Sequence, residues 1–161
     1  MIIDKIRTCA FTGHRKLDKD FNIETLRYII SKIIDSGYNT FLVGMAVGFD
    51  SECFKLLENF RKTEKIKIIA CIPCETQDYK FSEKQKAEYK RMILSADERV
   101  YVSKEYTPTC MFKRNMFMVD SASILVAYLN SDRGGTFQTV NYAKRKGVSI
   151  VFVNNKTAVN G

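Results

Sequence analysis

Three short segments carry the residue types that hold an anion: Thr12-Gly13-His14-Arg15, Gly44-Met45-Ala46-Val47-Gly48-Phe49-Asp50 and Arg133-Gly134-Gly135-Thr136. Each lies between an apolar run and a helical pattern. A glycine at such a junction lets backbone N–H groups approach an anion, and the following helix offers the positive end of its dipole. Arginine adds a planar fork of donors matched to phosphate. The pattern predicts a phosphate-bearing ligand on Gly13, Gly44, Gly48, Gly134, Gly135 and Thr136. Arg15 and Arg114 would supply bidentate contacts, and His14 would touch the base, ribose or a phosphate. Asp50 has two readings, a ligand contact or the N-cap of the next helix. Neither GxGxxG nor a Walker lysine loop occurs, which weakens ordinary dinucleotide and kinase-type readings.

Positioning these residues requires strands that end together. Six short apolar runs alternate with helical patterns: Ile6 to Thr12, Thr40 to Gly44, Ile66 to Ile72, Val100 to Val102, Ile124 to Leu129 and Val148 to Val153. Between them, Ile23, Leu26, Ile30 and Ile33 recur at helical spacing up to Gly37, and Phe54, Leu57 and Phe60 mark a second helix. Ser82-Glu83-Lys84-Gln85 reads as a capping box. Thr107-Pro108 reads as a cap with proline at the first helical position, opening a helix with Phe112, Met116 and Val119 on one face. A last helix runs through Val140 and Ala143 to Gly147. Repeated strand–helix alternation predicts an α/β, Rossmann-like, doubly wound and mainly parallel sheet of about six strands, with helices on both faces. Ligands bind outside the carboxyl ends of such strands, where all three glycine segments fall. One domain over residues 1–154 and a polar tail over 155–161 are expected.

Composition agrees with a single soluble domain. The chain has 161 residues, 45% hydrophobic and 27% charged, so disordered, collagen-like and disulfide-knot classes are excluded. Lys plus Arg number 26 against 18 acidic residues, a net charge of +8 that suits phosphate ligands. No apolar stretch reaches the ~18 residues of a membrane span. The five cysteines, odd in number and mostly within apolar runs, point to free thiols in a reducing cytoplasm. Cys71-Ile72-Pro73-Cys74 has half-site spacing, but with His14 the only histidine and no second CxxC it reads as structural, and no metal is expected.

The chain resembles the SLOG superfamily, the Rossmann-like group containing the DprA DNA-processing proteins and the "lonely guy" phosphoribohydrolases, and more narrowly its small bacterial YpsA-related proteins. The residues that carry the resemblance are Phe11 to Arg15, Gly44 to Asp50, Lys113-Arg114-Asn115-Met116-Phe117-Met118-Val119-Asp120 and Gly134-Gly135-Thr136. It implies a nucleotide, ADP-ribose or NAD-like ligand on the glycine turns, as in a nucleotide-binding module or sensor. In the phosphoribohydrolases an arginine and a glutamate flanking the last turn serve catalysis. Arg114 falls on the arginine position, so it would be catalytic if the protein is a hydrolase. Thr139 stands at the glutamate position, and a neutral hydroxyl cannot stabilise oxocarbenium charge. Binding is therefore favoured over hydrolysis by an N-glycosidase acting on nucleoside monophosphates. A DprA-like single-stranded DNA reading is weaker, since no aromatic stacking platform is visible. The apolar faces of the later helices would suit a homodimer, as in the phosphoribohydrolases.

Overall fold

The computed structural model describes residues 2–154. The tail expected over 155–161 lies outside the described residues. The strands are β1 (Thr8–Gly13), β2 (Thr40–Val43), β3 (Lys67–Ile72), β4 (Glu98–Tyr101), β5 (Ile124–Tyr128) and β6 (Ser149–Phe152). The helices are α1 (Ile23–Asp35), α2 (Phe49–Arg61), α3 (Glu83–Ser95), α4 (Cys110–Asp120) and α5 (Gly135–Arg145). Every strand pairing is parallel, and the spatial order is β4-β3-β2-β1-β5-β6. The doubly wound α/β sheet expected from the alternation is present.

Alternate strand residues feed two cores. Phe11, Phe41, Val43, Ile68, Val126 and Tyr128 pack with Leu26, Ile30, Phe54, Leu57 and Met92, so α1, α2 and α3 cover one face. Ala10, Leu42, Ile69, Leu125 and Ala127 pack with Met118, Val119, Val140 and Ala143, so α4 and α5 cover the other. Strands buried on both faces appear in sequence as unbroken apolar runs, which is why they were readable. The direction of winding reverses between β1 and β5, whose pairing runs from Cys9–Ile124 to Gly13–Tyr128. A crevice opens at such a switch point, beyond the carboxyl ends of the strands.

Local signals set the helix ends. Asn22 caps α1 by accepting from the Glu24 and Thr25 N–H groups, and Ser82 and Gln85 form the reciprocal capping box of α3. Three local expectations need correction. Ile6 belongs to a 3-10 turn (Lys5–Arg7) and is 77% exposed, because the Asp4 carboxylate captures its N–H before β1 begins. Helix α4 starts at Cys110, not at Pro108: a turn from Thr107 carbonyl to Cys110 N–H intervenes, and the Thr107 hydroxyl makes no hydrogen bond. Its inward face is Cys110, Arg114, Met118 and Val119, leaving Phe112 and Met116 only partly buried.

Candidate functional site

Arg114 organises the crevice. It enters from α4, is only 6% exposed, and reaches under the end of β2. Its Nη1 donates to the Gly44 carbonyl and, at 3.4 Å, to the Cys71 carbonyl, while Nε donates to Asn115 Oδ1 at 2.7 Å. The Gly44 carbonyl also accepts from Gln77 Nε2 at 3.0 Å, and Gln77 Oε1 accepts from the Tyr89 hydroxyl at 3.0 Å. This chain holds the guanidinium in place and leaves Nη2 without a hydrogen bond among the described residues. Burial lowers the arginine's pKa and Asp50 opposes that shift, but a guanidinium stays charged at any working pH.

Asp50 does not cap α2. The helix starts one residue earlier, Gly48 occupies the cap position, and the Asp50 carboxylate accepts the Ala46 N–H at 3.1 Å. A Cβ built on Gly44 would lie 2.9 Å from Arg114 Cζ and 3.1 Å from Asp50 Oδ2, so both charged groups close over that glycine. Burial pushes the Asp50 carboxyl up to about 6, against the pull of Arg114, the Ala46 N–H and Arg15. Desolvation therefore outweighs the attraction of two cations.

His14 ties the first turn to the fifth. Its Nε2 accepts the Asn130 backbone N–H at 2.8 Å, which places the neutral ring's proton on Nδ1. Burial lowers its pKa, with Asp18 and Asp20 opposing. The His14 carbonyl accepts the Phe49 N–H at 3.1 Å, fixing the start of α2 as well. One ring nitrogen is thus committed to the scaffold, leaving only Nδ1–H for the ligand contact expected of it. The Tyr128 hydroxyl, donating to Asp20 Oδ1 at 2.8 Å and accepting the Asp18 N–H at 3.0 Å, anchors the loop after His14.

Helix α5 starts at Gly135 behind Gly134, with no side-chain cap. Its first N–H groups are left for solvent or an anion. Thr139 is 2% exposed and donates its hydroxyl to the Gly135 carbonyl at 2.7 Å, so it faces its own helix. Arg133 points outward beside Asp132.

These parts enclose a cleft of about 330 Å³. Gly13, His14, Arg15, Gly44, Asp50, Arg114, Gly135 and Thr136 line it; Gly48 and Gly134 do not. Phe11, Thr12, Ala46, Met111 and Asn115 also line it and were not expected as site residues, although all but Met111 lie within the segments that carry the family resemblance. Three glycines turn out to serve chain packing. A Cβ on Gly13 would strike the Phe49 ring at 2.3 Å, one on Gly44 would strike Arg114, and one on Gly48 (φ +84°) would meet the Arg15 carbonyl oxygen at 2.1 Å. All five cysteines are buried and free, Cys71 and Cys74 included.

A doubly wound parallel sheet with its cleft at the switch point defines a Rossmann-like α/β protein. Residues 10–156 match the YspA SLOG family (YpsA), and the chain belongs to that family. The chain is 32% identical to the uncharacterized SPbeta prophage-derived protein YoqJ of Bacillus subtilis strain 168, with 79% of this chain and 80% of that one covered. DNA processing protein A (DprA) from Streptococcus pneumoniae superposes with a TM-score of 0.66 at 15% identity, covering 91% of this chain and 50% of that one. The Helicobacter pylori DprA, whose structure describes a single-stranded DNA binding mode, gives 0.62 at 11%, covering 90% and 64%. The chain thus spans half to two thirds of these solved relatives, and the likeness concerns the fold. Among the described residues no helix is long and apolar enough to cross a membrane.

Proposed function

We propose that this protein binds a nucleotide or nucleotide derivative, with a phosphate seated between Arg114 and the first turn of α5. One observation carries the reading: a buried, charged guanidinium, held by two backbone carbonyls and Asn115, lines a cleft into which an uncapped helix also opens. Gly13, His14, Arg15, Gly44, Asp50, Gly135 and Thr136 would form the remaining walls. Burying an arginine is costly, and a ligand anion offsets that cost better than solvent in a narrow cleft. The ordered cleft suits sensing, in which occupancy is read by a partner.

Thermal-shift measurement against nucleotides, ADP-ribose and NAD tests this. A ligand at 100 times its Kd should stabilise the protein by about 2.7 kcal/mol. A flat response across the panel, from protein shown by native mass spectrometry to carry no ligand, would overturn the reading. A second reading, single-stranded DNA binding, draws support from the DprA likeness and the +8 charge. Binding driven by charge alone weakens steeply with salt, so tight single-strand binding surviving ~200 mM salt would promote it.

A further inference from the structure

A second cleft, of about 690 Å³, adjoins the first and shares Arg15, Ala46, Met111 and Arg114 with it. The boundary is a side-chain bridge: Arg15 Nη2 lies 3.8 Å from Met111 Sδ. A thioether is a weak acceptor, so this bridge can part at little cost. The far wall carries Tyr79, Phe81 and Tyr106. Tyr79 is 78% and Tyr106 65% exposed, and neither ring packs on another among the described residues. Lys80 also lines this wall and makes no ion pair among the described residues. Arg15, Lys80 and Arg114 therefore face the joined clefts with Asp50 as the one carboxylate lining the smaller cleft and none lining the larger. The joined space has a polar end holding Arg15 and Arg114, and an end walled by Lys80, by Phe81 packed on Tyr89, and by the two unstacked rings of Tyr79 and Tyr106.

We propose that the larger cleft takes the base of a nucleoside monophosphate whose phosphate occupies the smaller one, with the rings of Tyr79 and Tyr106 against the base. This rests on the phosphate reading above and adds the ligand's second half. The ribose crosses where Arg15 meets Met111. Gln77, committed at both ends to Gly44 and Tyr89, holds the wall and does not read the base. Stacking on aromatic rings tolerates any base, so purine and pyrimidine nucleotides bind alike within a small factor.

Calorimetric titration with three probes, ribose 5-phosphate, adenosine and AMP, separates the two halves. The parent protein is compared with a Tyr79→Ala/Tyr106→Ala double variant and a Tyr79→Phe/Tyr106→Phe double variant, each checked for folding by circular dichroism. AMP should bind the parent at least about tenfold more tightly than ribose 5-phosphate. That advantage should vanish in the alanine variant, persist in the phenylalanine variant, and leave ribose 5-phosphate affinity unchanged throughout. Equal affinity for AMP and ribose 5-phosphate in the parent, or an AMP advantage that survives both alanines, overturns the base cleft and spares the phosphate site. Adenosine binding as tightly as AMP, and lost with the alanines, overturns the phosphate site and spares the base cleft. Failure of all three probes to bind overturns both.

Discussion

Gly135→Ala separates ligand space from scaffold. Gly135 is the first residue of α5, its φ lies outside the left-handed region, and a Cβ there would meet nothing within 4 Å. The folded backbone therefore accepts alanine without strain. Alanine narrows the unfolded ensemble and favours helix, so folding should be unchanged or improved by up to about 1 kcal/mol. For a chain of this size that is a rise of no more than about 4 °C in Tm. Gly135 lines the cleft, and on the proposed reading the added methyl would stand where a phosphate oxygen approaches the helix N-terminus. Nucleotide affinity should fall about tenfold or more, roughly 1.4 kcal/mol. Gly134 supplies the control. Its φ of +95° strains any L side chain, although a Cβ there also meets nothing. Gly134→Ala should cost about 1–2 kcal/mol of stability through backbone strain alone. Circular dichroism melts and calorimetric titration with AMP read both quantities. A Gly135→Ala protein that melts more than about 5 °C below the parent, or binds AMP as tightly, refutes the reasoning.

Gly44→Ala should act oppositely to Gly135→Ala, pushing the Arg114 guanidinium off the Gly44 carbonyl and lowering stability by about 1–3 kcal/mol; an unchanged denaturant midpoint would refute this packing. Ionised Asp50 repels an anion at Arg114, so sulfate affinity in the parent should fall as pH rises through about 6 and stay level in Asp50→Asn. The same carboxyl titrates above its ordinary 3.8, so its ionisation opposes folding: parent stability declines as pH rises from about 4 to about 6, and Asp50→Asn lacks that decline in pH-dependent melts. All five buried thiols should resist Ellman's reagent in the native protein and react in denaturant, Cys71 especially, whose burial pushes its pKa up to about 12. Release of free base from nucleoside monophosphates should be undetectable, since the Thr139 hydroxyl is tied to Gly135; turnover abolished by Asp50→Asn would make Asp50 the catalytic carboxylate.

The architecture was legible because its signals are local. Strands buried on two faces are apolar runs, α1 and α3 carry their own caps, and Gly37 ends a helix with φ +106°. The site was legible only as a set of turns. Arg114 stands out by type, but its partners Gly44 and Cys71 lie 70 and 43 residues away, beyond the reach of any periodicity. The same holds for His14, whose acceptor nitrogen is taken by an N–H 116 residues later. Asp50 shows the opposite failure. A carboxylate at a helix start is usually a cap, and that local rule hid a buried group turned back toward Ala46. Tyr79 and Tyr106 carried no signal at all, because an exposed aromatic in a loop has no period.

Glycine turns record close approach without recording what approaches. At Gly13, Gly44 and Gly48 the approaching group belongs to the chain: the Phe49 ring, the Arg114 guanidinium and the Arg15 carbonyl. Those three hold β1, β2, α2 and α4 tightly enough to fix the crevice. At Gly134 and Gly135 nothing of the chain approaches within 4 Å. An alanine at Gly135 would cost the scaffold nothing, so the missing side chain there has no use in folding. On the reading proposed above its use lies in the cleft, which it lines together with Arg114, whose Nη2 has no hydrogen bond among the described residues. On the proposed reading the phosphate sits at the start of α5, and the earlier turns are the walls that keep Arg114 aimed at it.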